Sequence, residues 1–297
     1  MGATRAAPSA SAVGDRISLG AVGSGAPTAA MIVAMGGGEV GRPVDEVRYD
    51  ARGPVAVVTI DRQHRRNAID GATAQALVEA LERFEADDGA SVLLLTGAGV
   101  AFCAGADLTA IDTLAPRADG PDGPLGFTRR VPSKPTIAVV DGWAVAGGLE
   151  LALWCDLRVA SPRARFGCFE RRWGVPLIDG GTWRLPRTVG LGRALDLILT
   201  GRLVDPEEAL AIGLVTAVVD DPMSHALELA GQLAAFPQAT MRSDRASVYA
   251  GWGLPLAEAL AVEMRLGLAV VEEGRQGAQR FAAGEGRGGT GVPGSSG

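Results

Sequence analysis

The segment Asp141–Leu151 reads DGWAVAGGLEL and decides the prediction of the fold. It follows the apolar, β-branched stretch Thr136–Val140 (TIAVV), which predicts a buried strand. Small residues then lead into an apolar helix that begins near Gly147. Such a junction points free backbone N–H groups outward, where they can bind an anion or a polarised oxygen.

A second segment upstream has the same arrangement. Ala101–Leu108 (AFCAGADL) follows a predicted strand, Ser91–Thr96 (SVLLLT), and is again rich in small residues. One such loop alone is more often a matter of packing or turn geometry. Two loops of the same kind can each direct one N–H group toward the same carbonyl oxygen, which would form an oxyanion hole.

Glu150 is the first candidate for acid–base chemistry. It lies three residues after Gly147, so it shares a helix face with the first free N–H groups. A carboxylate within the apolar run LELALW is costly unless it is hydrogen-bonded or functional. The alternative is a charge that simply favours the positive end of the helix dipole.

Two further carboxylates follow in mixed segments. Glu170 lies in FGCFERRW, where it could simply pair with Arg171 or Arg172. Asp179 lies in GVPLIDGGT, where it could cap a helix that begins at Gly180. The residues by themselves leave these alternatives open.

The rest of the chain alternates strands and helices. Pro54–Ile60 and Leu157–Ala160 are predicted strands, and Ala72–Ala86 is a predicted amphipathic helix. This alternation indicates an α/β core with parallel strands. After about Val204 the pattern becomes helical, with helices expected from Pro206, from Met223, from about Thr240, and from Leu256 to Ala282.

Composition limits the classes of function. The formal charge of −6 and the lack of a basic stripe argue against a nucleic-acid partner. No apolar run reaches the roughly 20 residues of a membrane span, so we expect no membrane partner and a cytoplasmic location. Three cysteines without ligand spacing and two histidines predict no metal site. Residues 1–44 and 284–297 are rich in Gly, Ala, Ser or Pro and are predicted to be a disordered extension and a flexible tail.

Together these motifs resemble the crotonase superfamily, the enoyl-CoA hydratase/isomerase family. AFCAGADL, DGWAVAGGLELALWCDLRVA, FGCFERRWGVPLIDGGTWRLPRTVG and LTGRLVDPEEALAIGLVTAVV follow one another in the family's order and spacing. The earlier stretch DRQHRRNAI is similar to the family's Asn–Arg–Pro turn, with Gln63 where proline is usual. The resemblance extends from Val47 to Phe281.

The resemblance implies a spiral of ββα units over residues 45–204 and a helical trimerisation region over residues 205–283. It implies a homotrimer or a dimer of trimers, with a CoA thioester as substrate and no permanently bound cofactor. By motif position, the N–H groups of Ala106 and Gly147 form the oxyanion hole, and Glu150 and Glu170 form the acid–base pair. Ala146 replaces the first residue of the family's usual triple-glycine turn.

The same resemblance implies three groups of binding residues. Those expected near the adenine are Ala104, Asp107 and Leu108, those near the phosphates are Arg65 and Arg66, and those shaping the pocket are Trp143 and Trp173.

Two departures from the hydratase pattern keep other reactions open. Phe169 stands where hydratases usually have proline, and Asp179 stands where they commonly have a small residue. Dienoyl-CoA isomerases of the family carry an acid at the position of Asp179. Hydration of a 2-enoyl-CoA is therefore the favoured reaction, and isomerisation of an enoyl- or dienoyl-CoA by Glu150, Glu170 and Asp179 is the alternative. Further alternatives are another thioester reaction, a CoA-binding protein without turnover, and an RNA binder, since the family includes one.

Overall fold

Two β-sheets organise the described part of the chain, residues 46–285 of a computed structural model. The larger sheet contains, in spatial order, β1 (Val47–Arg52), β2 (Val55–Ile60), β3 (Val92–Gly97), β5 (Thr136–Val140), β7 (Leu157–Ala160) and β9 (Ala217–Val218). The smaller sheet contains β4 (Ala101–Cys103), β6 (Trp143–Val145) and β8 (Arg165–Gly167). Among the strand pairs of these residues, β1–β2 is antiparallel and the others are parallel.

The chain passes repeatedly from the larger sheet to the smaller one. In each of the pairs β3–β4, β5–β6 and β7–β8, the first strand belongs to the larger sheet and the second to the smaller. A helical segment follows each pair: the 3₁₀ segment Leu108–Thr113, helix α2 (Gly147–Trp154) and, after the 3₁₀ turn Phe169–Trp173, helix α3 (Gly181–Val189). This succession is the predicted spiral of ββα units.

The first helix shows why the core forms where it does. Helix α1 spans Gly71–Ala86, and the side chain of Asp70 caps it by accepting from the N–H of Thr73 at 2.9 Å. Its apolar residues recur at helical spacing and bury one face against the sheets, including Leu77, Leu81 and Phe84. Helix α2 has no polar face, and all of its residues are buried.

The C-terminal part of the described chain is helical, as predicted. Its helices are α4 (Leu191–Thr200), α5 (Pro206–Ala211), α6 (Pro222–Ala235), α7 (Gln238–Gly251), α8 (Leu256–Ala269) and α9 (Val271–Ala282). The single helix predicted from Leu256 to Ala282 is wrong, because the backbone leaves the helical region at Val270 (φ −119°, ψ 10°). Gly267 in the last turn and the β-branched pair Val270 and Val271 weaken the helix there.

The two predicted loops also need correction. Residues 101–108 and 141–151 contain the short strands β4 and β6, whose three residues give too little alternation to be recognised in the sequence. No helix among residues 46–285 is long and apolar enough to cross a membrane. The extension predicted over residues 1–44 lies outside the described residues, as does the tail predicted over 284–297 apart from Gly284 and Glu285. The domain boundary predicted between residues 204 and 205 stays a prediction.

Candidate active site

A cavity of about 530 Å³ lies where β4 and β6 end and α2 and the 3₁₀ turn Phe169–Trp173 begin. Its polar lining includes the side chains of Glu150, Glu170 and Asp179. Most of the remaining wall is apolar and includes Leu108, Ile111, Leu125, Val175 and Ile178. An apolar cavity with a few convergent polar groups is the usual form of a small-molecule site.

The two small-residue loops meet at this cavity. A Cβ atom on Gly105 would lie 2.8 Å from the backbone nitrogen of Gly147, so only glycine permits this approach. The N–H of Ile69 donates to the carbonyl of Gly105, and the N–H of Asp107 donates to the carbonyl of Ile69, both at 2.8 Å. Ala106 lies between these two bonded residues, and its own N–H is not used by them. Neither that N–H nor the N–H of Gly147 has an acceptor among the described residues. Two free donors therefore line one cavity, as an oxyanion hole requires.

The residue before the Gly147 donor has an unusual backbone. Ala146 has φ 53° and ψ −129°, a region that residues with a Cβ rarely adopt. Hydrogen bonds hold it there: its N–H donates to the carbonyl of Gly167 at 2.9 Å, and its carbonyl accepts from Leu149 at 2.9 Å. This conformation turns the chain from β6 into α2 and leaves the N–H of Gly147 at the cavity.

Glu150 is buried, with 3% of its surface exposed. Its Oε1 accepts from the N–H of Asp179 at 3.0 Å and from the N–H of Gly181 at 2.7 Å. Burial, with the nearby charge of Asp179, raises the pKa of Glu150 to about 8, although these two hydrogen bonds act in the opposite direction. The alternative that Glu150 serves only its own helix end is wrong, because it joins α2 to the start of α3.

Glu170 has no hydrogen-bond partner for either carboxylate oxygen among the described residues, and both oxygens are buried. Burial raises its pKa from the ordinary value. The alternative of a simple ion pair is wrong: the Arg171 Nε donates to the carbonyl of Ile198, and the Arg172 guanidinium lies 3.9 Å from the ring centroid of Phe169. An unpartnered carboxylate on a cavity wall is a costly feature that a substrate can use.

Asp179 does not cap α3, contrary to the structural alternative considered from the sequence. The N-cap residue of that helix is Gly180 (φ 97°), and the N–H of the first helical residue, Gly181, donates to Glu150 and not to Asp179. Instead, the Asp179 Oδ1 accepts from the N–H of Leu125 at 3.0 Å and from the hydroxyl of Thr128. Burial raises the pKa of Asp179. Among residues 46–285 no group of three or more His, Cys, Asp or Glu is arranged to hold a metal ion.

Comparisons with known proteins identify the family of this chain. A sequence profile described as enoyl-CoA hydratase/isomerase matches residues 50–285. A probable enoyl-CoA hydratase of Rhizobium meliloti is 38% identical over 244 residues, which cover 79% of this chain and 93% of that protein. A short-chain-enoyl-CoA hydratase of Clostridium acetobutylicum is 37% identical over 227 residues, or 74% and 87% of the two chains. The chain belongs to the enoyl-CoA hydratase/isomerase family.

Solved structures of enoyl-CoA hydratases share the fold. One from Mycobacterium marinum matches with a TM-score of 0.76 at 34% identity, covering 80% of this chain and 96% of that chain. One from Mycobacterium tuberculosis matches with a TM-score of 0.75, also at 34% identity and with the same two coverages. The predicted crotonase-like α/β fold with a helical C-terminal region is thereby confirmed.

Two of the binding residues that the family resemblance implied, Asp107 and Trp143, are not among the residues that line the cavity. The Asp107 carboxylate is buried in an ion pair with Arg62 (2.7 Å), and it caps the 3₁₀ segment through Thr109. Hydrogen bonds from the Thr109 hydroxyl and from Arg62 lower the pKa of Asp107 to about 2. Trp143 is half-exposed on β6 and packs against Phe169 with ring centroids 6.2 Å apart. Trp143 is not itself a lining residue, but its neighbour Phe169 lines the cavity, so a role for Trp143 in shaping the pocket stays a prediction.

The other implied residues lie at or near the cavity. Ala104, Leu108 and Trp173 line it, and Trp173 is largely exposed. Arg65 and Arg66 are exposed and do not line the cavity, but the carbonyl of Arg66 accepts from the N–H of Ala104 at 3.1 Å. Their turn is therefore adjacent to the rim, and phosphate binding by these arginines stays a prediction.

The segment Gly123–Thr128 is buried, which was not predicted from the sequence. It has no regular secondary structure, yet Pro124 and Leu125 line the cavity and Thr128 donates to Asp179. Its composition, GPLGFT, resembles an ordinary surface loop. Continuous burial outside regular structure has no signature in sequence periodicity.

Proposed function

We propose that this protein is an enoyl-CoA hydratase, which adds water across the 2,3 double bond of a 2-enoyl-CoA thioester. The observation that supports this most is one cavity that combines two free backbone donors with the carboxylates of Glu150 and Glu170. The relatives named enoyl-CoA hydratase, at 38% and 37% identity over most of the chain, support it independently.

The two donors act on the thioester carbonyl. When the oxygen of water bonds to C3, electrons move through C2 into the thioester, and negative charge accumulates on its oxygen. The N–H groups of Ala106 and Gly147 stabilise that charge, because they are fixed in an apolar site before the reaction begins. A donor of this kind contributes about 10²–10³ in rate in other enzymes.

The two glutamates move the protons. One carboxylate takes a proton from the attacking water, and the other, protonated, delivers a proton to C2. The pair must therefore hold one proton in its productive state. Burial raises the pKa of both groups, which favours retention of that proton near neutral pH. Since the reaction changes no oxidation state overall and uses only acid–base groups, it requires no resident cofactor.

Isomerisation of an enoyl- or dienoyl-CoA is the second candidate. Asp179 lines the cavity, and its charge is near enough to Glu150 to raise that residue's pKa. A third carboxylate could relay a proton along the acyl chain. Against this role, the Asp179 Oδ1 already accepts two hydrogen bonds from the segment Gly123–Thr128.

Membership of the family also supports proposals on how CoA is bound and how the protein assembles. We propose that Arg65 and Arg66 contact the CoA phosphates, with Ala104 and Leu108 beside the adenine. We also propose that the protein assembles as a homotrimer or a dimer of trimers through its helical C-terminal region. A cytoplasmic location stays a prediction from the sequence.

The test is turnover of defined thioesters. Purified protein is incubated with crotonyl-CoA, a 3-enoyl-CoA and a 3,5-dienoyl-CoA, and both enoyl absorbance and product mass are followed. Hydration gives crotonyl-CoA the mass of one water. Isomerisation of the other substrates without a change in mass would favour the second candidate. Binding of all three without turnover would leave a CoA-binding protein and would contradict the proposal.

A further inference from the structure

The segment Gly123–Thr128 forms one wall of the cavity but contains no helix or strand that would hold it there. All six residues are nevertheless buried. A buried irregular segment needs partners for its backbone polar groups, because unpaired groups are costly away from water. The carbonyl of Phe127 accepts from the N–H of Arg130 at 2.9 Å, and the side-chain partners of the segment come from the start of α3.

Two side chains make these connections. The Asp179 Oδ1 accepts from the N–H of Leu125 and from the hydroxyl of Thr128. Arg184 donates to the carbonyl of Thr128 at 2.6 Å and to the carbonyl of Asp179 at 2.9 Å. The Gly123 backbone (φ 96°) fits this junction closely, since a Cβ there would lie 2.3 Å from the Thr128 hydroxyl.

The segment presents Leu125 to the reacting part of the site. A Cβ on Gly147 would lie 2.2 Å from the Leu125 Cδ1, so the leucine side chain packs directly against an oxyanion donor. Leu125 is 2% exposed and lines the cavity together with Glu150. An acyl chain whose carbonyl meets Gly147 and whose C3 meets the glutamates therefore lies beside Leu125.

Resting on the proposed function, we propose that Leu125 limits the length of the acyl chain and that Asp179 is the positioning residue that fastens its segment. Asp179 then acts through hydrogen bonds to Leu125 and Thr128 and transfers no proton. The substrate class is then a short-chain 2-enoyl thioester. This assignment accounts for an acid at position 179 without an isomerase reaction.

The test compares short and long acyl chains. Dissociation constants of butyryl-CoA and decanoyl-CoA are measured by calorimetry, and kcat/KM is measured for crotonyl-CoA and 2-decenoyl-CoA. Leu125→Ala is expected to shift both long-to-short ratios toward the long chain by about tenfold or more, since one methylene in an apolar pocket changes selectivity by about 10–200-fold. Because saturated thioesters cannot be hydrated, the binding ratio tests Leu125 even if the protein hydrates nothing.

Matched variants distinguish a positioning role of Asp179 from a role in proton transfer. Thr128→Val and Asp179→Ala remove one side of the junction and are expected to shift both ratios in the same direction as Leu125→Ala. Thr128→Ser and Asp179→Asn keep the hydroxyl donor or the oxygen acceptor and are expected to hold the wild-type ratios within about twofold. Unchanged ratios in Leu125→Ala and Thr128→Val, or equal ratios in Asp179→Asn and Asp179→Ala, would overturn the proposal.

Discussion

The backbone N–H of Gly181 donates to the Oε1 of Glu150 over 2.7 Å, although 31 residues separate them. The N–H of Asp179 donates to the same oxygen at 3.0 Å. Helix α2 supplies the carboxylate and the start of α3 fixes its orientation, so the geometry of Glu150 depends on how these two elements pack. This relationship leads to the first prediction.

Gly181→Ala is expected to lower kcat on crotonyl-CoA by about 100-fold with little change in KM. A Cβ at this position would lie 2.9 Å from both Cγ and Oε1 of Glu150 and would displace the carboxylate. Misplacement of a reacting group by about 1 Å costs about 10² in rate. Gly192→Ala in α4 is the matched control, because a Cβ there meets nothing within 4 Å, and it is expected to have wild-type kinetics. Wild-type kcat in Gly181→Ala would contradict the role of this contact.

The pH profile gives the second prediction. Burial first, and then the charge of Asp179, raise the pKa of Glu150 to about 8. Above that pH Glu150 is ionised and no longer supplies the pair with a proton for C2. We expect kcat/KM for crotonyl-CoA to fall as pH rises through about 8, by up to about tenfold per pH unit. Stopped assays between neutral and alkaline pH, with circular dichroism to verify folding, measure this, and a flat profile would refute it.

The strained backbone of Ala146 predicts a gain in stability on substitution. Ala146→Gly is expected to raise the free energy of unfolding in urea by about 1–2 kcal/mol, because glycine adopts φ 53° and ψ −129° without a Cβ clash. Ala152→Gly, inside α2, is the control and is expected to lower it, since glycine weakens a helix and leaves a small void. Both are compared with the wild type at equal protein concentration. A loss of stability in Ala146→Gly would show that the residue is not strained.

Substitution of Arg62 is expected to destabilise the folded protein strongly. Its guanidinium is 2.7 Å from Asp107 and 2.7 Å from Asp70, and its side chain is only 9% exposed. Arg62→Met leaves the buried carboxylate of Asp107 without its ion-pair partner and is expected to lower the free energy of unfolding by about 3–5 kcal/mol. The matched control is Arg163→Met, which breaks the ion pair of Arg163 with Asp141. Because the Arg163 side chain is 75% exposed, this variant is expected to lower the free energy of unfolding by less than about 1 kcal/mol. Equal losses in urea unfolding would contradict the buried network.

The sequence contained enough to predict the strands of the larger sheet that are long and apolar. The bounds of β5 and β7 agree with the prediction residue by residue. The β-branched run of β5 identifies it, and β7 continues the alternation of strands and helices. The three-residue strands of the smaller sheet were not predicted, since their pairing partners are supplied only by the folded spiral.

The site was predictable where it depends on motifs and unpredictable where it depends on long-range contacts. The glycine loops and the carboxylates of Glu150 and Glu170 were identified in advance, and the structure brings them to one cavity. The partners of Asp179 lie 51 and 54 residues away, at Thr128 and Leu125, and no local pattern encodes them. For the same reason, the ion pair of Asp107 with Arg62, 45 residues apart, was not predicted.

The central claim is that Glu150 and Glu170 are the acid–base pair of a hydratase. It is tested most directly by measuring kcat for the hydration of crotonyl-CoA by Glu150→Gln and Glu170→Gln. The wild type and Glu79→Gln are measured beside them. Glu79 is on the exposed face of α1, so its variant controls for the chemical change alone. The account predicts that each cavity variant loses about 10²–10⁴ in kcat while still binding butyryl-CoA, and that Glu79→Gln matches the wild type. Near wild-type hydration by either cavity variant would contradict the account.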